Sequence, residues 1–202
     1  MLAEVFELVT LRASDRTASR RFYETVLPTI ADRWPDLALA QAGGREGVTR
    51  RLHIGFVAPS RAHVDEFWRV GTEAGYRDDG APGPRPQYGH DYYGAFLLDP
   101  DGNSAEAVHH GALRRGGIVD HLWIRVAEVA ASKRFYETLA AGAGFDLSTD
   151  TPERAQFVGE SGSFSVVAGT PTENLHMAFP ASRSEALRDP DGNEVELVAR
   201  AG

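Results

Sequence analysis

His53, His121 and His176 each sit in a strand-like run of apolar and β-branched residues, and Glu106 and Glu196 each follow a Gly-Asn turn. Two imidazoles and one carboxylate hold one face of a divalent cation such as Fe(II), Mn(II), Ni(II) or Zn(II), leaving its other positions to substrate or water. Strand alternation supports the aim of these groups. Along Ile118 to Val126, His121, Trp123 and Arg125 share one face, while Leu122, Ile124 and Val126 share the other. Glu196 is flanked in the same way by Val195 and Leu197. The polar set is expected to share one face of the sheet and the apolar set to face a core.

The elements that must position these residues occur twice. Arg20-Arg21-Phe22-Tyr23-Glu24-Thr25 returns 113 positions later as Lys133-Arg134-Phe135-Tyr136-Glu137-Thr138. Leu52-His53-Ile54-Gly55-Phe56 returns 123 positions later as Leu175-His176-Met177-Ala178-Phe179, and Asp99-Pro100-Asp101-Gly102-Asn103 returns 90 positions later at Asp189 to Asn193. Three blocks in one order read as a duplication. The drifting offsets place a net gain before the second Leu-His block and a loss of one helix with its flanking loop after it. Each half reads as strands alternating with helices. Val5 to Ala13 and Ile118 to Val126 form strands. Ser14 or Asp15 caps a helix carrying Phe22 and Val26 on one face, and a helix near 129–140 places Phe135 and Leu139 alike. Val64, Phe67, Trp68 and Gly71 form the buried stripe of a helix over about 61–74. Gly80 to Arg85 reads as a Gly/Pro-rich loop before two strands joined by the Asp-Pro-Asp-Gly-Asn turn. In the second half, Phe179 leads through Pro180 directly to the Glu185–Arg188 strand. Arg114 to Gly117 reads as the linker, giving domains 1–112 and 117–202.

The chain has 202 residues, 42% of them apolar, which is enough for a substantial core. It has no cysteine, excluding disulfides, thiolate metal sites and cysteine nucleophiles. Its net charge of −8 argues against general nucleic-acid binding, and no apolar run approaches the ~20 residues of a membrane span. These features lead us to expect a cytoplasmic protein acting on something small, with neither nucleic acid nor membrane as partner.

The strand and helix ending in Phe-Tyr, the Leu-His strand, and the Asp-Pro-Asp-Gly-Asn turn followed by glutamate resemble the vicinal-oxygen-chelate superfamily over residues 4–110 and 118–199. That superfamily comprises glyoxalase I, extradiol dioxygenases and bleomycin-resistance proteins. The resemblance implies an α+β fold of tandem βαβββ modules curled into cups around one divalent metal, the last module lacking its helix. It also implies metal ligands on the first strand, the Leu-His strand and the strand after the turn. These map to His121, His176 and Glu196 in the second half and to His53 and Glu106 in the first. The first-strand position of the first half is Leu8, and the neighbouring Glu7 points to the opposite face. A fourth family ligand has no evident counterpart.

The superfamily pairs its modules in two ways. Adjacent pairing assembles His121, His176 and Glu196 in a cup missing a helix. Crossed pairing joins His121 to His53 and Glu106 and leaves Leu8 with His176 and Glu196; it is the simpler expectation, because both departures then fall in one site. Under it, His90 and Tyr93 are the catalytic candidates, with the imidazole suited to acid–base work near neutrality. Arg125, Trp123 and Tyr92 are the substrate-binding candidates. The chain would act as a metal-dependent enzyme on a small oxygen-rich substrate, dioxygenase-like rather than glyoxalase-like, or as a non-catalytic drug-sequestering protein. It would be a monomeric pseudo-dimer or a homodimer.

Overall fold

A computed structural model describes residues 5–44, 46–111 and 117–199; the Arg114–Gly116 part of the expected linker lies outside them. The elements run β1 (Leu8–Ala13), α1 (Arg16–Val26), β2 (Leu37–Gln41), β3 (Leu52–Val57), α2 (Arg61–Glu73), β4 (Arg77–Pro84), β5 (Tyr93–Leu98) and β6 (Ser104–His109). They continue with β7 (Val119–Val126), α3 (Val129–Ala143), β8 (Phe145–Asp150), β9 (Arg154–Gly159), β10 (Ser163–Ala168), β11 (His176–Ala181), β12 (Glu185–Arg188) and β13 (Glu194–Ala199). Asp15 caps α1 by accepting hydrogen bonds from the Thr17 and Ala18 amides. The stretch Gly80 to Arg85 is not a plain loop. Most of it belongs to β4, an irregular edge strand whose register slips twice against β5. An edge position and bulges are where a sheet accommodates Gly and Pro.

Among the described residues the strands form two mixed sheets, one ordered β4-β5-β6-β3-β7-β10-β9-β8 and the other β12-β13-β11-β1-β2. Each sheet takes strands from both sides of the 112–117 join. The larger closes through the antiparallel pair β3–β7, with His53 opposite Trp123 and Gly55 opposite His121. The smaller closes through β1–β11, with Thr10 opposite His176 and Leu8 opposite Ala178. The modules therefore pair crosswise. Strand by strand, the five-stranded sheet corresponds to the middle of the larger one, β5-β6-β3-β7-β10. It lacks the counterparts of the outer strands β4, β9 and β8. The first module is thus shorter than a full βαβββ unit as well, because only β2 follows α1, and the net gain of residues in the second half builds the β8–β9 hairpin.

One apolar core joins the layers. Phe22, Tyr23, Phe56 and Phe67 are fully buried, as are Tyr136, Phe164 and Phe179. Phe164 of the larger sheet lies 5.5 Å from Phe179 of the smaller; each such ring contributes roughly 1.5–3 kcal/mol by leaving water. The recurring motifs also bond to one another. Tyr23 Oη donates to Asp99 Oδ2, and Tyr136 Oη to Asp189 Oδ2, both at 3.2 Å. The turn aspartates accept in addition from the Asn103 and Asn193 side chains. A helix tyrosine thus locks each turn that leads into a glutamate-bearing strand.

Candidate metal centre

The antiparallel β3–β7 register brings His53 and His121 onto the same face of the larger sheet, and parallel pairing of β6 with β3 sets Glu106 beside Gly55. Three ligand atoms converge. His53 Nε2 lies 3.0 Å from Glu106 Oε2 and 3.1 Å from His121 Nε2, and His121 Nε2 lies 3.2 Å from Glu106 Oε2. Among the described residues this is the one group of three or more such side chains able to share a cation.

Two glycines make the convergence possible. A Cβ at Gly55 would stand 2.5 Å from His121 Nδ1 and 2.9 Å from Nε2, and one at Gly94 would press directly on Glu106 Oε1. On the smaller sheet, the partners corresponding to Gly55 and His121 are Ala178 and Leu8. There the methyl group and the missing imidazole go together.

Each ligand is oriented from behind. Ser104 Oγ donates to Asp79 Oδ2 at 2.7 Å and therefore accepts from His53 Nδ1 at 3.2 Å. His121 Nδ1 faces Asp120 Oδ2 at 2.9 Å, and the other oxygen of Asp120 meets His110 Nε2 at 2.9 Å. Tyr92 Oη donates to Glu106 Oε1 at 2.9 Å. With both Nδ1 atoms engaged as donors, the two Nε2 lone pairs and a carboxylate oxygen point at one spot. That arrangement is repulsive unless a cation sits between them. Burial pushes the His121 imidazole down, but the Asp120 and Glu106 carboxylates outweigh it and hold the pKa at about 9. Burial also raises Glu106, yet the neighbouring His121 and His53 rings bring it to about 2. Burial lowers His53. A proton on His121 thus takes the cation's place in the metal-free triad.

A transition metal fits this donor set. Bonds of about 2.0–2.2 Å to adjacent positions of an octahedron put neighbouring donors about 2.8–3.1 Å apart, close to the spacing found. Among the described residues no fourth donor joins the triad, for a reason visible in the pairing. The approximate two-fold relating β3 to β7 carries His53 onto His121 and Glu106 onto Ser165, because Trp123 pairs with Ser165 as Gly55 pairs with Glu106. Ser165 Oγ accepts instead from Arg154 Nε at 3.1 Å.

The triad opens into a cavity of about 730 Å³ whose walls include Tyr88, Tyr92, His110, Trp123, Arg125 and Arg154. Tyr92, Trp123 and Arg125, the expected substrate-binding candidates, line this cavity. His90 and Tyr93 do not line it. The His90 ring is 95% exposed on the outside of its loop, and Tyr93 Oη turns away to donate to Asp65 on α2. His176 and Glu196 lie on the smaller sheet, where His176 bonds Thr10 Oγ1 at 3.0 Å and Glu196 Oε2 at 3.3 Å. They do not join the triad. The sequence reading missed Asp120, Asp79, His110 and Arg154; only Asp120, adjacent to a ligand histidine, carried a local signal.

No protein-family model matches the chain, and no curated protein matches it. Solved structures do. Glyoxalase I from Zea mays is 16% identical with a TM-score of 0.68, covering 96% of this chain and 92% of that one. A candidate dioxygenase from Bacillus subtilis is 9% identical with a TM-score of 0.60, covering 100% and 86%. No helix among the described residues is long and apolar enough to cross a membrane. The crossed strand order and the match along nearly the whole length give this chain the vicinal-oxygen-chelate fold.

Proposed function

We propose that the chain is a metal-dependent enzyme that binds one divalent cation, Fe, Mn, Ni or Zn, through His53, Glu106 and His121 and acts on a small oxygen-rich substrate. The observation that carries this reading is the meeting of three ligand atoms within 3.2 Å, each side chain held by a partner behind it. Bound there, the cation would polarise two neighbouring substrate oxygens as a Lewis acid. Asp120 and Ser104 fix the imidazoles with Nε2 turned inward. Tyr92, pushed well above its ordinary pKa by burial and by Glu106, stays neutral and anchors the carboxylate. His110, bonded to Asp120 and lining the cavity, replaces His90 as the group placed to move a proton. A dioxygenase-like reaction is favoured over a glyoxalase-like one by the three-residue donor set, with Ser165 at the fourth corner.

Elemental analysis of protein purified without chelator tests the proposal. One transition metal per chain, lost in His121→Ala, supports it; a metal-free protein would point to ligand sequestration. Oxygen uptake with catechol then separates ring cleavage from isomerisation.

A further inference from the structure

The cavity is electrically lopsided. Its acidic groups, Glu106, Asp120, Asp79 and Asp91, lie at the triad and on the β4–β6 side. Its guanidiniums, Arg125 and Arg154, lie on the opposite wall, one same-face row beyond His53 and Trp123 and two beyond His121, because both pair with Val167 from either side of β10.

Neither guanidinium has a carboxylate partner among the described residues. Arg125 donates to the Arg51 carbonyl at 3.2 Å. Arg154 donates to Ser165 Oγ and lies 4.8 Å above the Trp123 ring. The corresponding arginine of the smaller sheet, Arg12, is paired with both Glu46 and Glu194. Arg125 is exposed, but Arg154 is partly buried, and a partly buried cation left without counter-charge is costly unless a ligand supplies it; burial lowers the Arg154 pKa. Arg154 also takes up the hydroxyl at the corner where the fourth metal ligand would sit, so its charge leans toward the triad rather than into solvent.

We propose that Arg125 and Arg154 form a carboxylate-binding subsite, so that the substrate is a small organic acid whose carboxylate lies against Trp123 and the two guanidiniums while its vicinal oxygens reach the His53–Glu106–His121 triad. This assignment rests on the metal-centre reading for its second contact only. Along β7, Arg125 stands two residues beyond Trp123, the partner of His53, and four beyond His121, roughly 7 and 13 Å; with Arg154 bent back to Ser165, the space between the guanidiniums and the triad suits a molecule about the size of one substituted ring. Arginine suits the role because its planar fork binds a carboxylate through two parallel hydrogen bonds.

The test compares two probes that differ only in the carboxylate, 3,4-dihydroxybenzoate and catechol, by calorimetry on zinc-loaded protein; zinc avoids redox chemistry. The expected result is that the benzoate binds at least about tenfold more tightly, the ratio that one charge-assisted hydrogen bond supplies. The double variant R125Q/R154Q should lose that ratio while keeping its zinc, and R154K should retain part of it. Equal affinities in the wild type, a preference that survives the double substitution, or no benzoate binding at millimolar concentration would overturn the subsite. The same contrast is read on zinc-free protein. Failure of the metal centre therefore shows as absent zinc with the carboxylate preference intact, and failure of the subsite as bound zinc without preference.

Discussion

Replacing Gly55 by Ala adds a single methyl group, yet it should disable the metal centre while leaving the fold intact. The new carbon would lie 2.5 Å from His121 Nδ1 and 2.9 Å from Nε2, against a comfortable separation of about 3.5 Å. The ring must therefore retreat by about 1 Å. Metal–ligand distances tolerate only about 0.2 Å, so the retreat removes one of three donors. Loss of an outer-shell partner alone weakens metal binding by about 10–100-fold; G55A should cost about 100-fold or more. The backbone has no objection, because Gly55 does not adopt a positive φ, and a methyl group at an ordinary strand position adds roughly 0.5–1 kcal/mol of stability. Competition with a chromophoric chelator gives the affinity, and thermal unfolding with and without chelator gives the stability. Combining G55A with H121A should cost nothing beyond H121A, since the clash disappears with the ring. A178G on the smaller sheet should leave metal binding unchanged. Wild-type metal affinity in G55A would refute the packing argument and, with it, the position of His121 in the centre.

H53A should abolish stoichiometric metal, whereas H176A should retain it and change stability by no more than about 1 kcal/mol, because Glu196, its ion-pair partner, is half-exposed; metal analysis of both variants separates crossed from adjacent use of the ligands. Y92F removes the hydrogen bond to Glu106 Oε1 and should weaken metal binding about tenfold with the fold intact, as read by chelator competition. Metal uptake should release protons. His121 in the metal-free protein titrates at about 9, above its ordinary 6.5, so near pH 7 binding displaces about one proton, and well above pH 9 it displaces none. Apparent affinity should accordingly rise with pH up to about 9. Calorimetry in buffers of different ionisation enthalpy measures the release. By the same linkage, the stability that protonated His121 gives the metal-free protein is complete below pH 6.5 and is lost as pH rises through about 9.

The apolar alternation of the strands, the capping of α1 at Asp15 and the Asp-Pro-Asp-Gly-Asn turns are local chemistry, and they could be read from the chain directly. So could the candidates His53, Glu106 and His121, because matched blocks put them in register. The expectations for Gly80–Arg85, His90 and Tyr93 differ from the structure for local reasons. Gly and Pro in β4 suggested a loop, but an edge strand tolerates them where a central strand would not. His90 was chosen for its chemistry, although nothing in its neighbourhood specified which way a loop side chain would turn.

The choice between His53 and His176 as partner of His121 lay beyond any local pattern. Strand edges join through backbone amides and carbonyls that every residue carries, so the sequence is compatible with either pairing. Side-chain packing at Gly55 and across the shared core selected one. The same holds for Arg154 and Asp79, which become part of the site only because distant strands close the cup. Residue types and spacing therefore determined which groups were competent for metal chemistry. The tertiary structure decided which of them meet, because a binding site needs atoms within about 3 Å, and only packing sets distances on that scale between residues dozens of positions apart.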